Sequence, residues 1–215
     1  MLNDEEVVFL ISSVIDTPHS ILSIATRVQE TEDTIRSIHV YYPTCHIILI
    51  EGGHYEWDLN SLRSLHSNIC VIKHNVLSEP KSIGEAKLIL AGLESDCFQD
   101  LGTHIQRIFK ISGRYKLNER FKKHDHTGNK ITLLQQTSTS RAPMKVTITV
   151  LYSVPISKLH IYKHCLHQSI QNMATISFDI EHALFYSITN EEDFHYLDQL
   201  GVQGLIGPSG AYWEA

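Results

Sequence analysis

The chain has 215 residues, 42% hydrophobic and 20% charged, with a formal net charge of −6. That length supports one sizeable core and is short for two, and the composition is that of a globular protein. The negative balance argues against general nucleic-acid affinity, and no apolar run is long enough to span a bilayer.

Taken in chain order, Val7-Val8-Phe9-Leu10-Ile11 is an unbroken apolar run, as expected of a strand buried on both faces. Ser12 and Ser13 follow it, and Asp16 to Ser20 reads as a loop. From Ser23 to Val40 the spacing of Ile24, Val28, Ile35 and Ile38 is helical, and Pro43 stops the helix. Ile47 to Ile50 forms a second buried strand, closed by Glu51-Gly52-Gly53. A short helix near Leu59 to His66 leads to a third strand at Cys70 to Ile72. Ser82 to Leu93 is a helix in which Ser82 and Glu85 stand as a capping box, and Ile105 to Ile111 is a fourth strand. This alternation predicts a mostly parallel central sheet with right-handed crossovers, flanked by helices.

The second half is mixed. Lys130 to Gln136 and Val146 to Tyr152 are β-branched strands joined by a Ser/Thr-rich loop from Thr137 to Pro143. Ile156 to Met173 and Asp179 to Ser187 read as helices separated by a loop at Ala174 to Phe178, and Gly201 to Pro208 as a last short strand and turn. No repeat or linker divides the chain. One α/β domain over 1–215 is expected, with 1–121 as a nucleotide-binding half and 122–215 as an acceptor half.

Four cysteines, Cys45, Cys70, Cys97 and Cys165, form no C-x-x-C pair, which excludes zinc-ribbon and thioredoxin-like motifs. Cys45 and Cys70 read as core thiols, so a reducing compartment is expected. The N-terminus is acidic and lacks the basic start of a signal peptide, so a cytoplasmic, soluble protein is expected. Neither a Walker loop nor G-x-G-x-x-G, H-E-x-x-H or G-x-S-x-G occurs.

The richest stretch is Ile108 to Asn118, a short strand of buried character running into Ser112-Gly113-Arg114-Tyr115. A strand ending this way presents backbone N–H groups and a cation at the carboxyl edge of a sheet, where open α/β sheets bind ligands. Upstream, Lys81-Ser82-Ile83-Gly84-Glu85 opens a helix whose N-terminus favours an anion, and Gly84 would permit close backbone approach. Arg114 offers a bidentate fork for phosphate oxygens, or pairs structurally with Glu85 or Glu51. The basic run from Arg107 to Lys123, Lys110 included, is either a solvated face or a phosphate-binding surface. His124-Asp125-His126 lacks the spacing of a metal site and reads as a solvated loop. Asp179 reads as an N-cap; Glu181 and His182 either complete that helix start or face a cleft as a general base.

The run Lys81-Ser-Ile-Gly-Glu85, an apolar helix, a strand and then Lys110-Ile-Ser-Gly-Arg-Tyr-Lys-Leu-Asn118 resembles GT-A-like glycosyltransferases, a group found in bacteria, phages and large viruses. Thr34 to Ile38 before Pro43, Ile50-Glu51-Gly52, and Gly201-Val-Gln-Gly204 with Gly207 and Gly210 add to the likeness. The resemblance implies a Rossmann-like GT-A sheet, a nucleotide-sugar donor and a glycan or glycoprotein acceptor. Ser12, Ser13 and Arg27 would lie near the nucleoside, Lys81, Gly84 and Arg114 at the diphosphate, and Glu181 near the acceptor hydroxyl. Glu51, Glu85, Lys110, Ser112 and Gly113 would line the same edge, with His182 beside Glu181. GT-A enzymes carry a metal-binding Asp-x-Asp where this chain has Ser112-Gly113-Arg114. The departure implies a metal-independent enzyme with no cofactor, in which Arg114 and Lys110 neutralise the diphosphate. The alternative is an inactive binding or assembly protein on the same fold.

Overall fold

A computed structural model describes residues 2–17, 20–137, 145–176, 178–205 and 211–215. The chain runs β1 (Val7–Ser13), α1 (Ile24–Tyr41), β2 (His46–Glu51), α2 (Leu59–Leu65), β3 (Ile69–Lys73), α3 (Lys81–Glu94), α4 (Asp96–Gln99) and β4 (Arg107–Ser112). Then come β5 (Tyr115–Leu117), β6 (Ile131–Thr137), β7 (Lys145–Pro155), α5 (Leu159–Ile176), α6 (Ile180–Ser187), β8 (Phe194–Leu197), β9 (Val202–Leu205) and β10 (Tyr212–Glu214). The expected Ser/Thr-rich loop lies almost wholly outside the described residues, as do Pro18, His19 and the final turn with Gly207 and Gly210.

The central sheet has seven strands in the order β3-β2-β1-β4-β7-β6-β8. β1 is parallel to β2 and β4, and β2 to β3. β7 runs antiparallel to β4 and β6, and β8 is parallel to β6. Val7 to Ile11 are fully buried because both faces of β1 are covered. One face packs Val8, Leu10 and Ile108 against α3, α5 and α6, with Ile89, Leu166 and Leu184 among the buried contacts. The other packs Phe9, Phe109 and Ile111 against Ile35 and Ile38 of α1 and Leu62 of α2. Each such side chain contributes about 1.5–3 kcal/mol on burial.

Three short strands escape the sequence reading: β5, β8 and β10. β5, β9 and β10 form a small antiparallel sheet. It is closed onto the segment after β5 at Gly201, whose φ of +73° and want of a side chain are both required. A Cβ there would lie 2.2 Å from the backbone nitrogen of Phe121. α5 continues to Ile176, through most of the stretch expected to be a loop.

Four other readings change. The capping box at α3 does not form: Pro80 precedes the helix and Glu85 turns to Lys110 instead. Cys70 is no free core thiol, since its sulfur is bonded to that of Cys97, tying β3 to α4. Arg107 and Lys110 are buried at 1% exposure, so the basic run is not one solvated face. His126 is buried as well, its ring against Phe109 and Phe121 and its Nδ1 3.0 Å from Ser153 Oγ.

Candidate functional site

α1 and α3 lie on opposite faces of the sheet, and the strand order reverses direction between β1 and β4. A crevice therefore opens beyond the carboxyl ends of those two strands, as topology requires. It holds a cleft of about 250 Å3. Ser12 and Ser13 enter from β1, Arg27 from α1, Lys81, Gly84 and Glu85 from α3, and Ser112 and Arg114 from the end of β4. Val14, Val76, Leu77 and Leu88 give it an apolar wall. Thr17, Ser20 and Glu79 also line it, and the sequence reading missed them. Their only signal was position, in the loops that follow β1 and β3.

The cations of the cleft differ in how they are held. Arg27 donates from Nη1 to Ser20 Oγ at 3.1 Å and from Nη2 to the Val14 carbonyl, bracing the loop after β1. Burial and the neighbouring Arg114 lower its pKa, although Glu30 and Glu51 oppose this. The Arg114 guanidinium makes no hydrogen bond or ion pair among the described residues and lies 6.0 Å from the centre of the Tyr115 ring. The expected structural pairing with Glu85 or Glu51 is therefore not made. Lys81 is exposed and its ammonium is likewise unpaired among the described residues.

Lys110 sits below the cleft and does not reach it. Its Nζ donates to Glu85 Oε1, to Ser112 Oγ at 2.8 Å and to the Thr149 carbonyl at 2.6 Å. Burial works against ionisation of Glu85, but Lys110, with Lys81 and Arg114 behind it, outweighs that and holds its pKa below the ordinary carboxylate value. Thr149 Oγ1 donates to Glu181 Oε1 at 3.0 Å, so the two carboxylates are linked through Lys110 and Thr149. Burial, and then the charge of Glu85, push the Glu181 pKa up.

The remaining candidates stand apart. Glu51 is fully buried: its Oε1 accepts from the Ile15 and Gly53 amides, each at 3.0 Å, and its Oε2 from Trp57 Nε1 at 3.2 Å. It braces the loops after β1 and β2 rather than lining the cleft. Gly113 packs against α1, where a Cβ would come within 3.1 Å of Thr31 Oγ1. Gly84 does line the cleft, but its close neighbour is Val76, 3.3 Å from a Cβ placed there. Asp179 caps α6, accepting from the His182 amide at 3.0 Å and lying 2.5 Å from His182 Nδ1. Neither Glu181 nor His182 is part of the cleft wall.

The donor set at the end of β4 does not fit a divalent cation. Ser112 Oγ is engaged by Lys110, Gly113 has no side chain and Arg114 is itself a cation. Nor do three acidic, histidine or cysteine side chains converge on a metal site elsewhere among the described residues.

No protein-family profile matches the chain, and no curated protein does. Solved structures do. The galactosyltransferase LgtC, determined with donor and acceptor sugar analogues, superposes with a TM-score of 0.57 at 10% identity, over 94% of this chain and 88% of LgtC. The bifunctional glycosyltransferase WbbM gives 0.54 at 8% identity over 92% of this chain, which spans only 39% of WbbM. A nucleoside-diphosphate-sugar pyrophosphorylase of Vibrio cholerae gives 0.52 at 12% identity, over 91% of this chain and 93% of that one. The chain has the GT-A-like fold, as the resemblance in its sequence implied.

Proposed function

We propose that this chain transfers a sugar from a nucleotide-diphosphate sugar to a glycan or protein-linked acceptor, without a divalent metal. The observation that carries the proposal is the pair of cations Arg114 and Lys81, unpaired among the described residues, in a cleft at the switch point of a GT-A-like sheet. In the transfer, the bond between the anomeric carbon and the diphosphate oxygen breaks, and a bond to the acceptor oxygen forms. Negative charge builds on the leaving diphosphate, and fixed cations nearby lower the barrier. Arg114 and Lys81 supply that charge, and Ser12 and Ser13 offer hydroxyls toward the nucleoside. The acceptor's proton needs a base, and Glu181 is the proposed one, its raised pKa suiting it to take up a proton.

A second reading, a binding protein without turnover on the same fold, draws support from one feature. Glu181 is bonded to Thr149 and stands off the cleft wall. Titration of UDP- and GDP-sugars into the protein, followed by assay of nucleoside diphosphate release with a glycan acceptor, separates the two. Binding with release that survives EDTA supports transfer. Binding without release supports the second reading, and an absolute need for manganese or magnesium refutes metal independence.

A further inference from the structure

Glu85 is a carboxylate placed where a diphosphate is expected, and that placement calls for a reason. Its position on α3 is one turn beyond Lys81, so the two share a helix face, and Arg114 is close enough to influence its charge. Its two oxygens are not equivalent. Oε1 is held by Lys110 Nζ and lies 3.4 Å from Ser112 Oγ. Oε2 has no hydrogen bond among the described residues and is not one of the sealed, unsatisfied oxygens, and the side chain, 20% exposed, lines the cleft. Glu79, the other carboxylate of the wall, is paired with Lys87.

A fixed anion beside two phosphates weakens their binding by like-charge repulsion. Its unpaired oxygen is nevertheless a strong hydrogen-bond acceptor, available to a neutral donor group bound in the cleft. In a nucleotide sugar the group adjoining the diphosphate is a neutral ring carrying hydroxyl donors. We infer that Glu85 recognises the donor's sugar, accepting a hydrogen bond from a free ring hydroxyl, and that Lys110 is its positioning residue. The inference rests on the reading of the cleft as a nucleotide-sugar site. It selects donors that keep that hydroxyl over deoxy analogues, which would leave the carboxylate oxygen desolvated and unpaired. Glu85 is a poor candidate for the base, because the cations around it lower its basicity.

The test compares nucleoside diphosphates with their sugar conjugates, using UDP, GDP and the glucose, galactose, mannose and N-acetylglucosamine derivatives of each. With Glu85→Gln, bare diphosphate should bind severalfold tighter, since an anion has gone. The conjugate should lose its advantage over diphosphate by about tenfold, the worth of a charged hydrogen bond. Lys110→Met should lower the same ratio, because Glu85 is no longer held. If Glu85→Gln fails to fold, the double variant Glu85→Ala with Lys110→Met removes both charges of the pair at once. It should leave diphosphate affinity within about threefold and weaken the conjugate by about tenfold. Parallel shifts of diphosphate and conjugate, or a double variant that binds the conjugate as the wild type does, overturn the role of Glu85 alone. If the wild-type protein binds neither class of probe, the cleft reading and this inference fall together.

Discussion

Replacing Arg114 by alanine tests the cleft most directly. Its guanidinium has no hydrogen-bonding or ion-pair partner among the described residues to lose. The substitution should therefore change folding stability by no more than about 0.5 kcal/mol. Ligand affinity is another matter. A hydrogen bond to a charged group is worth roughly 1.5–3 kcal/mol, or about 10- to 150-fold in Kd. The loss should fall toward the upper end, because Arg114 also offsets part of the charge of Glu85, leaving only Lys110 and Lys81 to do so in the variant. Arg114→Lys keeps the charge without the fork and should fall between the two. Calorimetric titration of the tightest-binding nucleoside diphosphate at two salt concentrations gives the number, and the wild-type salt dependence should shrink in the alanine variant. An alanine variant with wild-type affinity would refute the assignment. So would a drop in affinity matched by a drop in unfolding midpoint, since the guanidinium would then be structural.

Glu181→Gln should cut turnover about a hundredfold or more with donor binding intact if Glu181 is the base. Because burial raises its folded pKa, stability is lost as pH rises through that value, so the variant should gain on the wild type from pH 4 to pH 7 in urea melts. Burial depresses the His126 pKa to about 3, so the unfolded chain takes up the proton first. Stability should fall by about 1.4 kcal/mol per pH unit once the pH drops below the unfolded histidine value near 6.5, and His126→Gln should flatten that slope. Cys70 and Cys97 stand 27 residues apart, and closing such a loop is worth about 3.5 kcal/mol. Dithiothreitol should lower the wild-type midpoint accordingly and leave a Cys97→Ser variant unmoved.

The sheet was legible because β1 and β2 are buried on both faces and so read as apolar runs without alternation, while β4 keeps Ile108, Phe109 and Ile111 around the buried Lys110. β5, β8 and β10 carry three or four residues each, too few for any period to show. Among the candidate residues, Arg114, Lys81, Ser12 and Ser13 were found by their place at strand and helix ends, and topology does bring those ends together. What failed was the counting of charge along the chain. Lys110 looked like its neighbours Arg107 and Arg114, but strand alternation points it beneath the cleft while Arg114 lies past the strand end. Glu51 misled in the same way: a carboxylate at a sheet edge is equally useful for tying down loop amides.

The threonines of α1 have a consequence for how the cleft meets a ligand. Thr31 Oγ1 donates to the Gly113 carbonyl and Thr34 Oγ1 to that of Tyr115, both at 2.9 Å. Arg27 and Arg114, contributed by segments far apart in sequence, are thereby mounted on one welded unit. The opposite wall is fastened a few residues upstream, to β4, through Glu85 and Lys110. Both jaws of the cleft are anchored on the continuous β4–β5 segment, one at Lys110 and the other at Gly113 and Tyr115, so the spacing of its charges is set when the chain folds. Little ordering is then left for the moment of encounter, which favours rapid docking of an anion of matching span and poor tolerance of a longer or shorter one.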